Sequence, residues 1–371
     1  MPTHHLPSKL VLDPVMTDEE IAEKEGTYFD GKGYRIIEDD ADVYARMPDG
    51  SEKLLAKFRK NVFPKDLTDL AWNSFYKAAS SSRSRGAAAG PINLKSPYWK
   101  KRKPVKIDGF STQYLQDGKI SKMRVNNLVY SSVLGFYERT PFMKVPCRLT
   151  SYTQTYFKGY KQGLPFIQAI DRQFKELVPE SYAKQLARSK KQPEFRIDGT
   201  SFSSVTINRN FRTALHKDAG DYREGFGNLS VIERGKYHGG ETLFPQYGVG
   251  FNLRSGDFIA MDVHQWHCNA ALYETAEDKE FNSTLPKIYE HDVDTGTMGS
   301  EHSFTRISFV CYLREKLIDC DAKESRAYYK RIMFDPVKGP IGTAEQRSRR
   351  KRNPAHSESK SKTRRRHKSG E

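Results

Sequence analysis

Apolar side chains recur at helical spacing in two stretches of the chain. Residues 66–79 (DLTDLAWNSFYKAA) align Leu67, Leu70, Ala71, Phe75 and Ala78, and residues 164–177 (LPFIQAIDRQFKEL) align Phe166, Ile167, Ile170, Phe174 and Leu177. Pro179 stops the second helix, and 180–190 predicts another, basic one. A short helix before them is signalled by Thr17 with Glu20, a capping box ahead of Ile21. Elsewhere the pattern is strand-like. Asp42–Arg46 and Leu54–Arg59 flank the turn Pro48-Asp49-Gly50, and 127–137 and 147–153 follow as further strands. From residue 202 the chain becomes a series of short strands between Gly-rich turns: 202–209, 212–218, 228–233, 241–244, 249–254 and 257–263, with 304–313 later.

Many short, closely spaced strands predict a barrel or a two-sheet jelly roll. The expected class is therefore α+β: a double-stranded β-helix (jelly-roll, cupin-like) core with packed N-terminal helices. Its expected divisions are an N-terminal extension (1–30) and an N-terminal part of the catalytic domain (31–200). The β-helix core (201–320) follows, then a C-terminal helix or linker (321–343) and a disordered basic tail (344–371). The tail is Ser, Lys and Arg with almost nothing to bury.

Charge refines this picture. Of 371 residues, 62 are Lys or Arg and 46 Asp or Glu, a net +16. Residues 83–106 hold eight Lys/Arg and no acid, and 344–371 hold eleven Lys/Arg against three Glu. The remainder is balanced, so a neutral globular body with two polyanion-seeking appendages is expected, and a histone-like protein is not. No apolar run approaches the roughly 20 residues of a membrane span. The start, MPTHHLPSKLVLDP, has Pro and charge where a signal peptide has its apolar stretch, so secretion is not expected. Cys147, Cys268, Cys311 and Cys320 show no regular spacing and read as reduced thiols of an intracellular protein.

The chemistry concentrates in FRTALHKDAGDY. His216 and Asp218 are two apart, so on a strand both project from one face. An imidazole and a carboxylate side by side, with a distant second histidine, form the facial triad of non-haem Fe(II) oxygenases. GDFIAMDVHQWHCN offers His264 and His267 for that second histidine. Downstream, HSFTRISFVCYLRE puts Arg306 on a strand, where its guanidinium could clamp a dicarboxylate; Arg314, of the same parity, is the reserve. Asn208, Asn210 and Arg212 share a parity on the approach to His216 and are candidates to line the cavity or to cap the sheet. Asp262 is a candidate to orient a ligand histidine by hydrogen bonding, and Tyr222 and Trp266 are candidates for stacking on a base.

The run SVTINRNFRTALHKDAGDY, with LSVIERGKYHGGETLFPQYGVGFNLRSGDFIAMDVHQWHCNA and RISFVCYLR after it, resembles the TET/JBP family of Fe(II)/2-oxoglutarate dioxygenases. The upstream pieces RSRGAAAG, SSVLGFYE and PCRLTSYT are similar to that family's N-terminal half, and the likeness is densest over 202–314. It implies oxidation of the methyl group of 5-methylcytosine or thymine in DNA, with Fe(II), 2-oxoglutarate and O₂. Carried over by position, His216, Asp218 and His267 (alternatively His264) would bind iron and Arg306 would hold the far carboxylate of 2-oxoglutarate. Asn208 and Asn210 are further candidates for the co-substrate. Residues 271–303 form an acidic insertion between His267 and Arg306.

For DNA, the basic segment interleaves cations with Tyr98 and Trp99; Arg83, Arg85, Lys100, Lys101, Arg102 and Lys103 are its candidate phosphate contacts. The clusters Arg349–Arg352 and Arg364–Lys368 resemble a two-part nuclear import signal, so a nuclear protein, or a viral protein acting in a host nucleus, is expected; separately, a monomer is expected. Two other functions fit the same sequence: a protein hydroxylase of the same cofactor class, and a catalytically inert DNA-binding barrel.

Overall fold

The computed structural model describes residues 6–107, 110–112, 118–121, 124–139, 145–289 and 296–352; for 97, 102, 106, 107, 110–112 and 349–352 it describes backbone only. Its main sheet has ten strands. Eight of them run in the order Ser8–Leu12, Ala41–Arg46, Glu52–Arg59, Phe258–Met261, Gly227–Arg234, Thr305–Tyr312, Ser204–Arg209 and Val129–Tyr137. A smaller sheet orders Cys268–Asn269, Thr242–Phe244, Val249–Phe251 and Arg35–Ile37. Phe244, Val249 and Phe251 of the small sheet pack on Phe58, Val231 and Ile259 of the large one, which makes the expected two-sheet jelly roll.

Alternation along the central strands decides what faces where. Ile307, Phe309 and Cys311 point outward into a core with Phe75, Phe166, Ile170 and Phe174 of the helices Lys65–Phe75 and Leu164–Leu177. Arg306, Ser308, Val310 and Tyr312 point the other way, into a cavity. The neighbouring strand does the same, with Val205 and Ile207 outward and Thr206 and Asn208 inward. Phe166 and Phe309 meet edge to face at 5.0 Å, and each buried ring of this kind contributes about 1.5–3 kcal/mol. The helices thus hold rigid the strand whose other face builds the site.

Several expectations need correction. Residues 212–218 are not a strand. Asn210 takes a left-handed conformation (φ 46°) that ends Ser204–Arg209, and the chain continues as a loop. Residues 147–153 are a strand only at Arg148–Leu149; Thr150 then caps the helix Ser151–Thr155 by accepting the Thr153 N–H. Residues 1–30 are no mere extension, because Ser8–Leu12 pairs in parallel with Ala41–Ala45 as a sheet edge. The basic segment 83–106 contains the helix Pro97–Arg102.

The tail begins as a helix, Ala344–Arg352, because Thr343 and Gln346 form a reciprocal capping pair and Arg347 reaches back to the Ile341 and Gly342 carbonyls. The rest of the tail, with Arg364–Lys368, lies outside the described residues. Cys147 and Cys320 are not free thiols but a disulfide, with Cα atoms 5.8 Å apart; a separation of 173 residues hid the pairing. Cys268 and Cys311 are buried thiols. Among the described residues no helix is long and apolar enough to cross a membrane.

Candidate active site

Two loops bring the titratable groups together. One leaves Ser204–Arg209 and carries His216 and Asp218; the other leaves Phe258–Met261 and carries His267. They are zipped by backbone: His216 N–H donates to the His267 carbonyl (3.0 Å), His267 N–H to the His216 carbonyl (3.1 Å), and Asp218 N–H to the Val263 carbonyl (3.0 Å). The two-residue spacing of His216 and Asp218 therefore converges on one point without the strand expected to produce it.

Among the described residues, these three are the one group whose imidazole and carboxylate atoms gather, all within 4.8 Å. His216 Nε2 lies 3.6 Å from Asp218 Oδ1, and His267 Nε2 lies 3.8 Å from Asp218 Oδ2. Both Nδ1 atoms are spent on carbonyls, His216 on Ala214 (2.8 Å) and His267 on Gln265 (2.9 Å). A carbonyl can only accept, so each of these bonds is donated by Nδ1–H, which turns Nε2 of each ring toward the carboxylate. Burial, reinforced by His216 alongside, pushes the His267 pKa down to about 4, so its ring is neutral as metal binding requires. One ion with bonds of about 2.0–2.2 Å would draw such donors together. His264 is not part of this group. It lines a groove on the far side of its loop, where its Nε2 meets the Tyr222 carbonyl at 3.2 Å.

The triad opens into a cavity of about 340 Å³, also lined by Thr206, Asn208, Arg306, Ser308 and Tyr312. Arg306 is buried. Its Nη2 donates to the Gly240 carbonyl (3.2 Å), while its Nε has no hydrogen-bond partner among the described residues. Gly240 takes φ +80°, and a Cβ there would sit 2.5 Å from Leu272, so glycine is needed for this close approach. A buried donor left unpaired costs about 1–3 kcal/mol, so this end of the cavity is built for an acceptor, best an anion.

The reserve candidate Arg314 also lines the cavity but is committed elsewhere: it pairs through Nε and Nη2 with Glu138 and stacks on Tyr137 at 4.1 Å. Burial works against its charge, and the Glu138 carboxylate more than offsets this, raising the guanidinium above its ordinary pKa.

Asn208 remains on the cavity wall, held by the Ser131 hydroxyl and by Ser308. Asn210 does not line it. Its side chain accepts the Arg306 N–H (2.7 Å) and donates to the Phe304 carbonyl (2.9 Å), bracing the arginine's strand. Arg212 is likewise structural, stacked on Tyr28 and donating to the Phe29 carbonyl. Nor do the two aromatic candidates line the cavity: Tyr222 bonds Glu224, and Trp266 carries Lys217 at 4.7 Å.

Sequence reasoning missed Asp221. It lines the cavity, and its Oδ2 is closed to solvent and finds no partner among the described residues; desolvation, with Asp218 nearby, raises its carboxyl well above the usual range. The only signal was a second Asp three residues after Asp218, in a loop where strand parity no longer applies. Of the basic candidates, Arg85 lines the cavity. Arg83, two residues earlier, lies 4.0 Å over Tyr98 of the helix Pro97–Arg102, so this helix adjoins the rim, with Lys100, Lys101 and Lys103 exposed. The Arg102 side chain is outside the described residues.

Residues 132–315, which include every cavity residue from Thr206 to Arg314, match the family model Tet_JBP, the oxygenase domain of the 2OGFeDO superfamily. Curated relatives include thymine dioxygenase JBP1 of Trypanosoma brucei brucei, 36% identical over 161 residues, covering 43% of this chain and 18% of that protein. Thymine dioxygenase JBP1-A of Trypanosoma cruzi is 34% identical over 189 residues, covering 50% and 20% respectively. The chain thus spans about a fifth of the length of these relatives. Among solved structures, NgTET1 in complex with 5mC DNA is similar over 85% of this chain and 99% of its own, at 11% identity and a TM-score of 0.44.

Proposed function

With residues 132–315 belonging to the Tet/JBP oxygenase family of the 2OGFeDO superfamily, we propose that the chain oxidises the methyl group of a pyrimidine base, thymine or 5-methylcytosine, in DNA. The observation that carries this reading is the convergence of His216, Asp218 and His267 in one cavity with the half-partnered Arg306. Two imidazole Nε2 atoms and one carboxylate are the donor set that holds Fe(II) and leaves coordination positions open. Arg306 Nε would take the far carboxylate of 2-oxoglutarate, converting an orphaned buried donor into a charge-assisted bond. When bound, Fe(II) and 2-oxoglutarate supply the oxidising power of O₂ that breaks a methyl C–H bond, and 2-oxoglutarate leaves as succinate and CO₂.

The chain's own work is positional. Carbonyls of Ala214 and Gln265 keep both rings in one tautomer, the zipped loops keep Asp218 between them, and apolar packing behind Phe309 fixes the strand bearing Arg306. A base reaches such a recessed site only by leaving the duplex stack. Incubating the full chain with Fe(II), 2-oxoglutarate and duplexes containing thymine or 5-methylcytosine, then analysing nucleosides by mass spectrometry, tests the proposal. The expected products are 5-hydroxymethyluracil or 5-hydroxymethylcytosine, with matching succinate; succinate formed with neither base oxidised would refute a DNA-base substrate.

The basic helix Pro97–Arg102 at the rim is the proposed phosphate-binding element. Replacing Lys100 and Lys101 by Ala should weaken duplex binding. It should also make the slope of log K against log salt shallower by about 0.9 for each phosphate no longer neutralised. An unchanged slope would assign the helix to something other than DNA.

A further inference from the structure

His267 reaches the site at the end of a tight loop, and that loop is held from outside the family-matched segment. Asp262, which opens it, is a buried carboxylate whose two oxygens are both occupied. Oδ1 accepts the backbone N–H of His264 at 3.0 Å; Oδ2 accepts Gln265 Nε2 at 3.3 Å and forms an ion pair with the Lys53 ammonium at 2.7 Å. The Gln265 carbonyl then accepts His267 Nδ1–H at 2.9 Å. Lys53 belongs to the strand Glu52–Arg59, which pairs with Phe258–Met261 and whose Leu55 carbonyl takes the Asp262 N–H at 2.9 Å. An ion pair and two hydrogen bonds, joined through the Gln265 residue, therefore link an N-terminal strand to the imidazole.

We infer that Asp262 and Lys53 are positioning residues for His267, the lysine acting through the aspartate. The inference rests on His267 being a metal ligand, as proposed above. Backbone pairing already fixes the strand up to Met261, where it ends. Beyond that point, the Asp262 side chain, which bonds both His264 and Gln265, joins the backbone bond from the Gln265 N–H to the Asp262 carbonyl (3.1 Å) in setting the Gln265 carbonyl. The carbonyl in turn aims His267 Nε2 at Asp218. Without the ammonium, a buried carboxylate would keep only two neutral donors, and the loop would lose the charge that holds its anchor in one place.

The test uses the full chain freed of metal and titrated with Co(II), followed by its visible absorption. Asp262→Asn presents an amide N–H₂ to Gln265 Nε2 and Lys53, donors facing donors. It should bind Co(II) about 10-fold more weakly, the lower end of what losing an outer partner costs. The Co(II) bands should change, and Asp262→Glu should restore part of the affinity. Lys53→Met, at a half-exposed position, should cost about threefold, and should add nothing in the Asp262→Asn background. Unchanged affinity and spectrum in Asp262→Asn, with His267→Ala losing Co(II), would overturn the positioning role alone. Tight Co(II) binding by His267→Ala would overturn the ligand reading and this inference with it. Should Asp262→Asn not fold, Lys53→Met decides: wild-type affinity refutes the inference.

Discussion

Replacing His216 by alanine is expected to abolish turnover and to lower metal affinity more than about 100-fold, beyond the 10–100-fold that loss of an outer partner costs. The fold should survive, because the loop is held by backbone: the bonds between His216 and His267 and from Asp218 to Val263 involve no imidazole. Removing the ring also removes its bond to the Ala214 carbonyl, a modest loss at a partly exposed position. Metal titration beside thermal unfolding separates the two effects. Retained metal binding with an intact fold would mean that the triad is not the metal centre.

The second large effect is expected at Arg306. Arg306→Met should raise the 2-oxoglutarate concentration needed for half-maximal rate by about 10–100-fold, since hydrogen bonds to charged groups are worth about 1.5–3 kcal/mol. Metal affinity should be unchanged, because no ligand atom moves. Arg306→Lys should recover little, as an ammonium cannot reproduce the planar fork. Arg314 provides the contrast. Removing it strands the Glu138 carboxylate in a mostly buried site, so Arg314→Met should destabilise the fold, by about 3–5 kcal/mol, and leave 2-oxoglutarate dependence nearly unaltered. A co-substrate effect at Arg314 with none at Arg306 would exchange their roles.

These two arginines show where sequence periodicity is informative and where it stops. Both have the same parity on or just beyond Thr305–Tyr312, so both face the cavity, and parity cannot separate them. What separates them is Glu138, 176 residues away in the chain from Arg314, which neutralises one and not the other. The helices Lys65–Phe75 and Leu164–Leu177 are legible for the opposite reason: their apolar stripes are local consequences of a 3.6-residue repeat. Residues 212–218 form no strand because the left-handed Asn210 has already ended the ladder. Beyond its spacing from Asp218, Asp221 gives no signal because a carboxyl in a Gly-containing loop ordinarily faces water, and only the packing of Arg314 and Tyr312 around it says otherwise.

By itself the sequence determined the fold class, the order of parts, and the donor set with its candidate arginines. Those follow from periodicity, residue type and spacing, which are properties of neighbours in the chain. Tertiary structure decided which histidine turns inward, which arginine is left with a free buried donor, and that a lysine near the N-terminus anchors the loop of His267. It also decided the Cys147–Cys320 pairing. Each of these depends on the meeting of distant segments, which occurs only when the two sheets close and water is driven from between them.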